Sequence, residues 1–216
     1  MGAESTVVLF HAPQTRSTGT CVLLEELGAP YELKVVNMPA GEQRQPAYLK
    51  INPLGKVPAV KDGEALVTEQ VAIFIYLADR FPQAGLAPPI HDPRRGPYLR
   101  WMAYYGSCYE PALIDRSLKR EPAPSRTSPY GDFDSMFQTL ADQIAKGPYL
   151  LGDTLTAADI LWGVALAWSL SFGLLPQNDV ISAYSARITE RKSFVDVSAR
   201  DTLLAAEHAA SVAARG

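Results

Sequence analysis

The first eighty residues alternate short apolar runs with segments of helical spacing. Val7-Val8-Leu9-Phe10 has the length and β-branched content of a buried strand, and Pro13-Gln14 interrupts it. Cys21, Val22, Leu24 and Leu27 then recur at helical spacing, and Gly28 stands where a helix C-terminus favours glycine. Tyr31–Val36 reads as a second strand, closed by Pro39-Ala40-Gly41. A strand–helix–strand order favours parallel pairing. The polar segment Glu42–Lys50 allows a short helix through Ala47, Tyr48 and Leu49, and Asn52-Pro53-Leu54-Gly55 has the composition of a turn. Val57–Lys61 and Glu64–Thr68 are two strand candidates joined through Asp62-Gly63. That dipeptide predicts a hairpin, since a type I′ turn needs positive φ at both central residues. Val71, Phe74, Ile75 and Leu77 mark an amphipathic helix ending near Phe81-Pro82. The predicted order is β-α-β-α-β-β-α.

Pro82, Pro88, Pro89, Pro93 and Pro97, with Gly85 and Gly96, mark a linker. No strand pattern follows it. Tyr98, Trp101, Met102, Tyr105, Cys108 and Tyr109 fall on one helical stripe, and Glu121–Gly131, broken by Pro122, Pro124 and Pro129, reads as an exposed loop. Phe133, Phe137, Leu140 and Ile144 make a second apolar face, stopped by Gly147-Pro148. Ile160 to Leu170 is nearly all apolar, as in a buried helix, and Ile181 onward is helical but weakly patterned into an alanine-rich tail. The expected organisation is an α/β domain over 1–82, a linker over 83–97 and an all-helical domain over 98–216.

Composition narrows the class. The chain has 216 residues, 47% of them apolar and 20% charged, enough for a packed core and unlike a disordered chain. Twenty Lys and Arg against 23 Asp and Glu leave a net charge of −3, which excludes nucleic-acid binding by bulk charge. No apolar run reaches the roughly 18–20 residues of a membrane span. Met1–Thr6 carries no basic residue, so no secretory leader is expected there. Cys21 and Cys108 are too few for a disulfide framework or a zinc site. The expected setting is the reducing cytoplasm, with no metal and no membrane or nucleic-acid partner.

Four short segments carry candidate chemistry. Pro13-Gln14-Thr15-Arg16-Ser17-Thr18 joins the first strand to the first helix, at the carboxyl end of a strand, where ligands bind in α/β units. It offers hydroxyls and a guanidinium at a helix N-terminus, where a thiolate would be stabilised; Thr15 or Ser17 can equally cap the helix. Cys21, a turn inside that helix, reads as a small core residue. Val57-Pro58 enters a strand where proline marks an edge or a special bond; with a cis bond, the Val57 N–H and C=O would turn outward to meet an extended ligand. Thr68-Glu69-Gln70 opens the third helix, whose amides favour a carboxylate while Glu69 suits an ammonium, with capping by Thr68 as the plain alternative. Thr156-Ala157-Ala158-Asp159 has capping-box spacing, which is structural.

The run Asn52-Pro53-Leu54-Gly55-Lys56-Val57-Pro58, then Leu66-Val67-Thr68-Glu69-Gln70-Val71-Ala72-Ile73, then Gly152-Asp153-Thr154-Leu155-Thr156-Ala157-Ala158-Asp159-Ile160, resembles the cytosolic glutathione transferase superfamily. Leu24-Glu25-Glu26-Leu27-Gly28-Ala29-Pro30-Tyr31 resembles the first-helix exit of its bacterial members. The resemblance implies a thioredoxin-like domain that holds glutathione, a helical domain that shapes the electrophile pocket, and a two-fold homodimer. It makes Pro58 a cis-proline and sets Val57 on the cysteinyl backbone of glutathione. Glu69 and Gln70 would take its γ-glutamyl end, and Lys56 would lie near its glycyl end. Gln70 departs from the serine frequent in the family. The activating residue is expected among Ser17, Thr15 and Arg16, in that order. No tyrosine or cysteine occupies the loop, and Arg16 stands where the bacterial cysteine type carries its cysteine. Tyr104, Tyr105, Cys108 and Tyr109 are the electrophile-pocket candidates, with packing inside the helical domain as their alternative. The implied activity is attack of the glutathione sulfur on a small hydrophobic electrophile, with glutathione a co-substrate and no permanently bound cofactor. The alternatives are a glutathione-dependent disulfide reductase or peroxidase, and a binding protein that kept the fold without catalysis. A maleyl-type isomerase fits less well, because residues 13–18 lack its Ser-Ser-Cys run.

Overall fold

A computed structural model describes residues 6–121 and 123–214. Most of Met1–Thr6, Pro122 of the expected loop and the last two residues of the alanine-rich tail lie outside the described residues. The chain divides into two compact units, one running to Ala84 and resuming at Arg191, the other spanning Gly85–Glu190.

The first unit is built on a four-stranded sheet of order β2-β1-β3-β4. Strand β1 (Val7–His11) pairs in parallel with β2 (Tyr31–Val35), across the intervening helix α1 (Arg16–Leu27). The parallel order predicted for this segment is therefore present. Gly28 ends α1 at φ 60°, with its N–H returned to Glu25 and Leu24 carbonyls. Strands β3 (Ala59–Asp62) and β4 (Ala65–Thr68) form the hairpin, antiparallel to each other, and β3 pairs antiparallel with β1. Asp62 pairs with Ala65, so the turn residues are Gly63 and Glu64, not Asp62 and Gly63. Positive φ falls on Gly63 alone, at 59°, whereas the expected type I′ turn needs two such residues.

Alternation along β1 decides what each face meets. Val7, Leu9 and His11 are buried on one side, the side of α1 and α3 (Gln70–Arg80). Phe10, on the other, packs edge-on against Tyr48 of the one-turn helix α2 (Pro46–Leu49), within a small cluster of Ala12, Val36 and Val57. The last helix, α9 (Lys192–Ala213), packs on α1. Glu26 of α1 accepts two hydrogen bonds from Arg191, at 2.8 and 2.7 Å, and one from Ser193. Residues 191–214 thus belong to the α/β unit. The expected helical domain over 98–216 is longer than the compact one, because helical pattern says nothing about which surface a helix covers.

The second unit is helical among its described residues: α4 (Arg95–Tyr104), α5 (Glu110–Ser117), α6 (Phe133–Ile144), α7 (Ala157–Ser171) and α8 (Asp179–Thr189). Between α4 and α5 the chain makes a π-helical turn over Tyr105–Tyr109, where the Glu110 N–H reaches the Tyr105 carbonyl. Pro111 is the cause, since it has no N–H for the fourth carbonyl back and its ring crowds that carbonyl. The helix expected over residues 98–109 therefore widens at Tyr105, while Tyr98, Trp101, Met102, Tyr105 and Tyr109 of the expected stripe are all buried and Cys108 is half-buried. Helix α7 fills the middle, with Ile160, Leu161, Trp162 and Leu166 buried. The predicted capping box opens it. Asp159 also accepts from the Leu150 N–H at 2.7 Å and the Tyr184 hydroxyl at 2.9 Å, and burial pushes its carboxyl above the ordinary value despite these donors.

Candidate functional site

Three chain segments meet at one end of the sheet. Phe10 pairs with Ala59, and Ala59 with Thr68, so the exit of β1, the entry of β3 and the exit of β4 lie side by side. Beyond them stand the β1–α1 loop, the Val57-Pro58 bond and Glu69. The three candidate segments of the α/β unit thus converge, although 38 residues lie between Thr18 and Val57 and 50 between Thr18 and Glu69.

The β1–α1 loop is tightly bonded. Thr15 is the N-cap of α1; its hydroxyl accepts from the Ser17 N–H at 3.2 Å and donates to the Ala12 carbonyl at 2.8 Å. Gln14 holds φ 57°, uncommon for a side chain with a Cβ. Ser17 is fully buried. Its hydroxyl oxygen lies 2.8 Å from His11 Nδ1, 2.8 Å from Thr15 Oγ1 and 3.0 Å from the Ala12 carbonyl, and it accepts from the Ala12 N–H at 3.1 Å. His11 continues through Nε2 to Asp201 Oδ1 on α9, at 3.0 Å. Asp201 Oδ2 accepts from the Gln14 N–H at 3.0 Å and the Thr18 hydroxyl at 2.5 Å. Burial opposes the charge of Asp201, yet the bonds from His11, Thr18 and Gln14 hold its carboxyl below the ordinary value. Cys21 lies beneath, its sulfur 3.5 Å from His11 Nδ1, and burial pushes its thiol up to about 12. It is no source of thiolate at neutral pH. Arg16, at the first helical position, is exposed.

His11 and Asp201 were missed in the sequence. Strand alternation gave a signal for His11, which shares the inward face of Val7 and Leu9 and, once buried, needs hydrogen-bond partners. Asp201 gave none, being 190 residues away on a weakly patterned helix.

The second segment is held from behind. The Tyr48 hydroxyl and Asn52 Nδ2 both donate to the Lys56 carbonyl, at 2.7 and 2.9 Å. Gly55 takes φ 62°, and a Cβ there would stand 2.8 Å from the Gln43 carbonyl oxygen, so only glycine fits. The Val57-Pro58 bond is cis. Among the described residues no hydrogen bond engages the Val57 N–H or C=O. Lys56 is exposed, whereas Val57 and Pro58 are buried.

Glu69 opens the third segment at φ 66° and ψ 116°, exposed and with no side-chain capping bond. Glu69, not Thr68, occupies the N-cap position. A non-glycine residue held in this region clusters at ligand sites in folded proteins. Gln70 Nε2 donates to the Arg16 carbonyl at 2.8 Å, joining the starts of α3 and α1.

The tyrosines of the helical unit divide. Tyr105 and Tyr109 are buried against Trp162, with ring centroids 5.2 and 4.9 Å away. Their hydroxyls meet Glu110 and Ser169, each at 2.6 Å. Tyr104 is half-buried and donates to the Met136 carbonyl at 3.1 Å, and Cys108 is half-buried with its sulfur 3.5 Å from the Pro129 carbonyl. Among the described residues no His, Cys, Asp and Glu cluster could hold a metal, and no helix is long and apolar enough to cross a membrane.

Comparison with known proteins bears on both units. Residues 5–79 match the N-terminal domain family of glutathione S-transferases, and residues 130–185 match a C-terminal domain family of the same enzymes. Glutathione S-transferase F10 of Arabidopsis thaliana is 29% identical over 214 residues, covering 91% of this chain and 99% of that one. Glutathione S-transferase F9 of the same plant is 30% identical over 151 residues, 64% of this chain and 69% of the other. A glutathione transferase homologue from Sulfitobacter, solved with bound glutathione, superposes with a TM-score of 0.72 at 26% identity, covering 91% of this chain and 98% of its own.

Proposed function

This chain belongs to the glutathione S-transferase superfamily of transferases, and we propose that its α/β unit holds glutathione in extended form across the three convergent segments and activates its thiol. The free Val57 backbone pair carries this reading. A peptide laid along it gains two main-chain hydrogen bonds, as an added strand does. Glu69, next to Thr68 and so beside the start of β3, takes the γ-glutamyl ammonium, with the amides at the start of α3 facing its carboxylate. The Gln70 side chain braces the start of α1 and leaves Glu69 the leading contact at that end. Lys56 answers the glycyl carboxylate.

Thr15 is the hydroxyl that faces the sulfur. Two observations favour it over Ser17: Ser17 is fully buried with its oxygen enclosed by four neighbours, whereas Thr15 is half-exposed at the helix N-cap. Arg16 adds positive charge at the same helix start. A free thiol titrates near ~8.5, so few molecules are thiolate at neutral pH, and a hydroxyl donor with a helix N-terminus lowers that value. The thiolate then attacks an electrophilic carbon, an S–C bond forms, the leaving group departs with its electron pair, and the thiol proton goes to solvent. Within the helical unit, Tyr104 and Cys108 remain the candidates for the small hydrophobic electrophile, since Tyr105 and Tyr109 are buried whereas Tyr104 and Cys108 keep exposed surface. A homodimer completes the proposal.

The test is the ultraviolet absorbance of bound glutathione thiolate as pH is raised. The wild type should show a thiol pKa below that of free glutathione. Thr15→Ala should raise it by about one unit, a tenfold loss of thiolate, and Ser17→Ala should raise it less. An unshifted value in Thr15→Ala with a strong shift in Ser17→Ala reverses the assignment.

A further inference from the structure

The β1–α1 loop is fastened from outside its own element, by one carboxylate of α9. Asp201 is 2% exposed and receives three bonds, from His11 Nε2, the Gln14 N–H and the Thr18 hydroxyl. These grip both ends of the segment that carries Thr15. They also set proton directions within it. A carboxylate only accepts, so His11 must carry its proton on Nε2 and, when neutral, present Nδ1 as an acceptor. The nearest donor to Nδ1 is the Ser17 hydroxyl at 2.8 Å, ahead of the Cys21 thiol at 3.5 Å. Ser17 then has no second proton to give, and its lone pairs are left for the Ala12 N–H and for Thr15. Thr18 gives its proton to Asp201 and Ser17 gives its proton to His11. The Thr15 proton, between the Ala12 carbonyl and Ser17, is the one held by neither a carboxylate nor a ring nitrogen, and Thr15 is half-exposed, so it is the hydroxyl able to turn toward a sulfur.

Ser17, His11 and Asp201 have the residue types of a hydrolytic triad, but Ser17 and His11 have no exposed surface, so no substrate reaches the serine. The arrangement positions; it does not attack. We propose that Asp201 is the positioning residue for thiol activation: through His11 it commits the Ser17 proton inward, and through Gln14 and Thr18 it holds the loop so that the Thr15 hydroxyl and the first amides of α1 face the glutathione sulfur. This rests on the glutathione reading above, and it makes the C-terminal helix part of that site.

The experiment compares wild type, Asp201→Asn and Asp201→Ala in three readouts. These are the affinity for glutathione, the thiol pKa of the bound molecule, and hydrogen exchange of the Gln14 amide without ligand. Asp201→Asn keeps the shape and one acceptor, but offers a donor where Gln14 and Thr18 also donate. The proposal expects faster Gln14 exchange in both variants, and a bound-thiol pKa raised by about one unit, a tenfold loss of thiolate at neutral pH. Glutathione affinity should change less than about threefold, well under one tenfold step, because Val57 and Glu69 are untouched. A folded variant with the wild-type thiol pKa overturns it. If Asp201→Ala does not fold, Asp201→Asn and Thr18→Ala carry the same comparison, and an unchanged thiol pKa in both also overturns it. Failure of the wild type to bind glutathione overturns the functional reading instead; faster Gln14 exchange in the variants would then leave the anchoring in place and remove its link to thiol activation.

Discussion

At the scale of single residues, charge and burial assign the roles. Asp201 is a buried carboxylate whose partners outweigh its burial, so its folded pKa lies below the unfolded one of about 3.9. Its contribution to stability is therefore complete above the unfolded value and is lost as pH falls through the folded one. Acid unfolding followed by circular dichroism should show this: Asp201→Asn is less stable than wild type at neutral pH, and the gap closes below about pH 4. A gap that is constant from pH 7 to pH 3 would contradict the ionised carboxylate on which the His11 tautomer depends. Cys21 shows the opposite balance. Burial alone dominates its thiol, which makes it a core residue of α1 and removes a protein-cysteine redox step from this site. The sequence already favoured that role for Cys21. It ranks Ser17 over Thr15, because spacing counts positions along a loop and does not register burial, which encloses Ser17 and leaves Thr15 half-exposed.

At the scale of elements, the strands and the helices bounded by Gly28 and the capping box were legible because their signals are local. Period, cap and turn residues sit within a few positions of one another. The π turn at Tyr105–Tyr109 had an equally local signal, Pro111, which a stripe of aromatics hides. The pairing of α7 with α8 is set by a feature with no periodicity, Gly163. A Cβ there would fall inside the Ile188 side chain, so the helices approach as closely as glycine allows. Gly163→Ala should therefore destabilise the protein by about 1–3 kcal/mol through overpacking, despite the better helix propensity of alanine. Thermal unfolding checks it, and the further loss caused by Gly163→Ala should be smaller in an Ile188→Ala background, where Cγ1 and Cγ2, two of the three contacting atoms, are gone. A Gly163→Ala protein as stable as wild type would show that the α7–α8 contact yields freely.

At the scale of the whole molecule, the chain returns to its first unit after more than a hundred residues. Arg191 and Ser193 clasp Glu26, and Asp201 reaches the β1–α1 loop. Nothing in the composition of the tail announced this, since an amphipathic helix carries no address for the surface it covers. The segments proposed to hold glutathione were legible for a complementary reason. Backbone geometry at Val57-Pro58 and at Glu69 demands particular residues in a fixed order, and that order survives as motif. Side chains that recognise an electrophile obey no such constraint, which leaves Tyr104 and Cys108 without a readable code. The central claim is that the convergent segments form a glutathione site, and a calorimetric titration with reduced glutathione, with the oxidised form alongside and Glu69→Ala as the variant, tests it most directly. Sub-millimolar binding of the reduced form, about tenfold weaker in Glu69→Ala, a loss of about 1.4 kcal/mol, is the predicted result. Tighter binding of the oxidised form would point to disulfide reduction, and no binding of either form would contradict the site itself.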